Sequence, residues 1–514
     1  MRKLVAIGFF CLNTVSILAQ TELSIQNSEK IIGKNSRTNK DILAKEYIFP
    51  ERIDQYQLDS ASGFVAVQLR GTTKNGKWLN NSGNIVLYDL FNNKVKWAKK
   101  INYAQSSIKQ FGHLIIQKIN DKSYCLNIEN AEVMWEVKNS ISYVEHGRNL
   151  AIGYKSNAFT GSTNTLEGID LLNGNNIWKR EISREYSWND VFHLNDSVLI
   201  VAAAGLHSIN LKDGTGWDYH TITGAKDYKS TVATNVAGAA LGVLTGTYFM
   251  STGSDLVRDI VSNVLMDSLN IYFASRENIT RLDQSGNVKW SFNFPKGLAS
   301  NSSIFIKDSL IYMVNKGFAF MGNRQIDFGT PFLAAYNKNT GKQLFFNTLN
   351  DKKDQISGFK INKDEIILIL KDRILKYSLA KGSLLLEKSF DIGLVGELSY
   401  FIGNQAYLKK DNSFVCLVTS DSTSNYLYTK TGKILKLSGK FDILEQIDYK
   451  QIYICYLKAK DIKFLAKDQE TTVIGMDNQN LAELKISGNA ILKGSKLYDI
   501  QDKSFIEFDV KELE

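Results

Sequence analysis

The sequence predicts an all-β chain: a β-propeller of about eight four-stranded blades, with seven or nine set by how the last strands pair, and one helical insertion. Three observations predict it. A hairpin-like segment recurs, as LEGIDLLNGNNIWKRE from Leu166, VLYDLFNNKVKW from Val86 and YCLNIENAEVMW from Tyr124. Further copies end at Trp217, Trp290 and Phe345, and weaker ones run through Gly382 and Gly432. Five of the seven Trp residues, Trp97, Trp135, Trp178, Trp217 and Trp290, occupy one position of this unit, and the first four recur at intervals of 38, 43 and 39 residues. A period near forty with short alternating strands suits propeller blades, whereas helical repeats of that length need long helices.

Each unit reads as a β-hairpin. Ile85 and Leu87, then Val95 and Trp97, place apolar side chains on one face of each strand. Asn, Asp and Gly between the strands supply positive φ and side-chain bonds to the backbone. A lone hairpin is marginal in water, so the units must bury their faces against one another. A Trp buries roughly 150–250 Å², worth about 4–6 kcal/mol as an upper bound. The five Trp residues are therefore expected as structural anchors between neighbouring sheets.

Taken in order, the chain opens with Arg2 and Lys3 and then an uncharged run, Leu4 to Ala19, which reads as a secretory signal peptide over 1–19. Cys11 follows Gly8, Phe9 and Phe10, unlike a lipoprotein cleavage site. Residues 20–45 are polar and weakly periodic, and are expected as a flexible lead-in. The propeller is expected over 46–514. Between Trp290 and Phe345 an extra Gly-rich segment, Lys316 to Gly329, lengthens one unit, and after Leu386 the units lose their Trp.

One stretch, 221–267, is unlike the rest. It is uncharged and rich in Gly, Ala and Thr from Thr231 to Gly253, and then places Leu256, Ile260 and Val264 at helical spacing. A helical insertion on one face is expected, with Leu256, Ile260 and Val264 as the candidate partner contact. Long excursions inside a compact domain often carry function. Gly238 and Gly242 make a Gly-x-x-x-Gly pattern, so membrane association through the insertion is the alternative, without a span.

The formal charge of +9 is spread over interleaved Lys and acidic residues, with no basic stripe, so nucleic-acid binding is not expected. Past the signal segment the cysteines are Cys125, Cys416 and Cys455; buried thiols are expected, and pairing of Cys416 with Cys455 stays open. The five histidines, His113, His146, His193, His207 and His220, form no metal-binding motif, although His207 and His220 flank one blade end. No phosphate-binding loop, nucleophile elbow or calcium loop occurs, so no catalytic, cofactor-binding or metal-binding residue is expected.

The unit resembles the pyrroloquinoline-quinone-enzyme repeat, whose pattern is roughly Ala-x-Asp-x-x-Thr-Gly-Lys-x-x-Trp. Ala335, Asn337, Thr340, Gly341 and Lys342 follow it and end in Phe345; Asp170, Gly174 and Trp178 match, as do Asp89 and Trp97 with Asn93 in place of Gly. Asp283, Gly286 and Trp290 fit with one residue fewer in the turn. The resemblance covers about Tyr47 to Lys440. In its enzymatic branch the cofactor rests on a disulfide of adjacent cysteines, with calcium and a catalytic Asp, and this sequence has no adjacent cysteines. The resemblance thus implies the non-catalytic, BamB-like branch, which binds protein partners through loops and strand edges.

The expected function is an exported, non-catalytic propeller acting as a protein-interaction scaffold in the cell envelope, periplasmic or associated with the outer membrane. Its partner is an envelope protein, and no cofactor is expected. The alternative is a quinone- or metal-dependent enzyme, or a small-ligand or glycan-binding propeller, with its site in blade-end loops.

Overall fold

The computed structural model describes residues 23–513 except 75–77, 105, 158–160, 183–187, 189, 204, 222–259, 322–323, 350–353 and short breaks between 403 and 494. The expected signal segment lies outside the described residues. Antiparallel strands taken in chain order build eight separate four-stranded sheets, over 52–102, 106–137, 139–181, 190–219, 265–293, 302–348, 358–389 and 398–448. The chain is a β-propeller. A ninth sheet has nine strands and joins both ends of the chain. How that sheet is divided sets the blade number.

Apolar layers lie between consecutive sheets. Leu166 and Trp178 of the 139–181 sheet pack with Leu199 and Val201 of the next. Ile200 and Leu206, on the opposite face of that next sheet, pack with Ile271 and Phe273. Strands buried on both faces read as continuous apolar runs, as in Ile366–Leu370. The extra segment between Trp290 and Phe345 forms a small hairpin, Phe318–Met321 with Arg324–Asp327, beside the 302–348 sheet.

The recurring Trp has one repeated geometry. Its ring nitrogen donates to a backbone carbonyl in the following unit: Trp97 to Ile128, Trp135 to Leu171, Trp178 to Leu211, Trp217 to Gln284 and Trp290 to Lys338, at 2.7–3.3 Å. Each acceptor directly follows the turn-forming residue of its unit, Asn127, Asp170, Asn210, Asp283 or Asn337. Those side chains accept from backbone N–H groups two residues on. A turn glycine lies under the rings of Trp135, Trp178, Trp217 and Trp290, and Ala131 holds that place beside Trp97. At Gly174 and Gly341, φ is +76° and +70°, and a Cβ would come within 2.8 Å of Trp135 and 2.7 Å of Trp290. Glycine therefore serves both the turn and the ring. Trp97, Trp135, Trp178 and Trp290 are buried and Trp217 is half-buried.

Two expectations are corrected. Residues 26–45 of the expected 20–45 lead-in are not flexible: Gln26–Asn35 is a strand, Asp41–Ile48 is another that runs on past it, and Ile32, Ile42 and Ala44 are buried. Their stability is non-local, because Asp41–Ile48 pairs with Ser504–Asp509 and Gln26–Asn35 pairs with Asn480–Leu484. Residues 260–266 of the insertion are extended, not helical. Ile260 bridges Ser275, and Leu265–Met266 is an edge strand on Asn270–Ala274. Pairing with a preformed strand overrides the helical spacing there. The rest of the insertion's expected helix, Leu256 included, lies outside the described residues.

Candidate functional site

The most repetitive surface feature is the outer rim. The fourth strands Val133–Val137, Asn176–Glu181, Val288–Asn293, Gln343–Thr348, Leu384–Ser389 and Ile443–Asp448 each end their sheet and leave one edge unpaired. Alternation turns Trp135, Trp178 and Phe345 inward and the residue before each outward, and in Val288–Asn293 a β-bulge lets the outward apolar residue stand further back, at Val288. Met134, Ile177, Val288, Leu344, Leu385 and Leu444 are therefore exposed, by 46–61 %. Between two of these edges an open groove of about 480 Å³ is lined by Phe292, Asn293, Phe294, Pro295, Gln343 and Phe346. Its aromatic floor is braced by the stacked pair Phe332–Phe346, with centroids 4.5 Å apart. Lys179, Glu181, Lys289 and Lys388 lie along the same strands, a charge pattern that limits indiscriminate edge pairing.

The other concentration of chemistry is histidine. All five histidines fall between His113 and His220, within three consecutive sheets. His113 and His146 sit on the turns after the first strands of neighbouring sheets, with ring centroids 4.9 Å apart. Partial burial and the neighbouring His113 lower the basicity of His146, against the raising effects of Glu145, the Phe111 carbonyl and Asp59. Next along, Tyr143 donates to Glu145 at 2.9 Å, and His193 Nε2 lies 3.0 Å from the Tyr143 hydroxyl and 3.1 Å from Glu145 Oε2. Burial, then the bond to Glu145, raises the Tyr143 phenol.

His207 and His220, expected to flank one blade end, do meet, with ring centroids 5.7 Å apart. His207 is buried, and its Nδ1 lies 2.6 Å from Asp218, which Arg180 also contacts from the adjacent sheet. Burial would raise the Asp218 carboxyl, but hydrogen bonds from His207 and Arg180 outweigh it and hold the group at about 2. The arrangement ties two sheets together. Sequence reading passed over the His113–His146 pair and the Tyr143, Glu145 and His193 group because their members come from different strands and turns.

The candidate partner residues do not share one exposed stripe. Ile260 is buried against Ile271 and Phe273, and Val264 packs on the same layer, so both serve the core between sheets. Cys125 is buried and free, and burial pushes its thiol up to about 11. Cys416 and Cys455 lie on strands Ser413–Leu417 and Ile452–Leu457. Among the described residues no group of three or more His, Cys, Asp or Glu converges as a metal site, and no helix is long and apolar enough to cross a membrane.

No family model matches the chain, and no curated protein does. Among solved structures, BamB from Moraxella catarrhalis is similar at 13% identity over 74% of this chain and 96% of that one, with a TM-score of 0.33. Sqt1 from Saccharomyces cerevisiae is similar at 10% identity over 73% of this chain and 97% of its own, with a TM-score of 0.36.

Proposed function

We propose that this chain is an exported, non-catalytic propeller of the quinone-enzyme-repeat type that works as a protein-interaction scaffold in the cell envelope. The observation that carries this reading is the rim: six sheets present an exposed apolar side chain beside an unpaired strand edge. Free backbone N–H and C=O groups beside apolar side chains suit an extended segment of another protein. The Phe292, Phe294 and Phe346 groove accepts an apolar side chain of that segment. Export rests on the Arg2–Ala19 segment. The test is affinity capture from envelope extracts with the mature chain and with an Ile177→Lys, Leu344→Lys, Leu385→Lys triple variant. Wild type should retain a defined protein that the folded variant loses. Equal capture by both would remove the rim from the reading.

A further inference from the structure

His113 and His146 approach each other because the turn before His113 has no side chain. Gly112 has φ of +55°, and a Cβ there would sit 3.0 Å from His146 Nε2, so the imidazole occupies the space a larger residue would fill. The two rings are tilted by 37° with centroids 4.9 Å apart, and each ring is on an exposed residue. The Phe111 carbonyl and the carboxylates of Glu145 and Asp59 lie near enough to act on the His146 ring electrostatically. His113 makes no hydrogen bond among the described residues. The other histidines are differently engaged: His193 with Glu145 and Tyr143, and His207 with Asp218.

Two imidazoles on adjoining turns form a bidentate nitrogen pair, the donor type favoured by zinc, nickel and copper over magnesium or calcium. Nearby carboxylates offset the incoming positive charge without occupying a coordination position. We propose that His113 and His146 form a two-imidazole site for a zinc-type divalent transition-metal ion, which joins the 106–137 and 139–181 sheets at one face while water completes the coordination shell. Binding removes protons from the ring nitrogens it uses, so it weakens as the pH falls through the histidine range.

The experiment is calorimetric titration of the folded mature chain with ZnCl2 at pH 7.5, with Cu2+ electron paramagnetic resonance as a second readout. Wild type should bind one ion saturably, and its Cu2+ spectrum should show coupling to two imidazole nitrogens. His113→Ala and His146→Ala should each weaken binding by more than about tenfold and reduce the coupling to one nitrogen. His193→Ala and His220→Ala should leave both readouts unchanged. Absent saturable binding, retention of affinity in either His113→Ala or His146→Ala, or loss in His220→Ala would each overturn the proposal.

Discussion

Tyr47 and Phe505 are cross-strand partners, with ring centroids 6.0 Å apart, although they stand near opposite ends of the chain. Tyr47 is almost wholly buried, and its hydroxyl reaches Asn93 Oδ1 at 3.2 Å and Glu507 Oε2 at 3.5 Å. The pair fastens the first strands of the chain to the last, and also to the 52–102 sheet.

Tyr47→Ala should therefore destabilise the whole molecule, by about 3–5 kcal/mol as for other buried aromatic truncations. Deletion of 23–48 should leave a chain that no longer melts cooperatively. Thermal unfolding followed by near-ultraviolet circular dichroism checks both outcomes. A deletion variant that melts like wild type would show that the terminal strands are dispensable.

The Trp anchors separate ring from hydrogen bond. Trp178→Phe keeps most of the buried area and loses the bond to Leu211, so it should cost about 1 kcal/mol. Trp178→Ala should cost about 3–5 kcal/mol. Gly341→Ala should also destabilise, because it adds both left-handed strain and a clash with Trp290. Denaturant midpoints of the three variants give the order directly.

Ile260 offers a test of whether the end of the insertion is core or contact. As a residue 4 % exposed beneath Ile271 and Phe273, Ile260→Ala should lower stability by about 2–5 kcal/mol. Leu344→Lys, at an exposed edge, should stay within about 0.5 kcal/mol of wild type. Unchanged stability in Ile260→Ala would return that residue to the surface.

Acid should act through Asp218. Its folded pKa of about 2 lies below the ordinary carboxylate value of about 3.9, so the group favours folding at higher pH. That contribution is fully present above about pH 4 and is lost as the pH falls through about 2. Asp218→Asn should be less stable than wild type at pH 7, and the difference should shrink across this window. A gap that stays constant from pH 5 to pH 2 would show that the carboxylate's charge is not involved.

The repeat and its turns were readable from local residues because Asn127, Gly174 or Trp178 each perform their task within one hairpin or against the next. Residues 26–45 were misread for the opposite reason: their partners, Leu484 and Glu507, lie more than four hundred residues away. Ile260 shows the same limit, since its helical spacing is real but Ser275 offers a strand to pair with. The rim was partly visible, because Met134, Ile177 and Leu344 stand directly before Trp135, Trp178 and Phe345 in the sequence. Its exposure follows only from the Trp taking the inner face. His113 and His146 share no motif, and only the meeting of two turns brings them together.

Each Trp reaches forward, to the carbonyl and turn of the unit that follows, so the ring of sheets has a direction. A stretch of sequence running from one anchor to the next carries its own hook and the eye for the hook before it. Such a stretch can be copied or removed with every joint still matched, whereas a cut elsewhere in the period leaves a hook without an eye. Growth of the chain by duplication is thereby confined to steps of about one period, which accounts for the even spacing of Trp97, Trp135, Trp178 and Trp217.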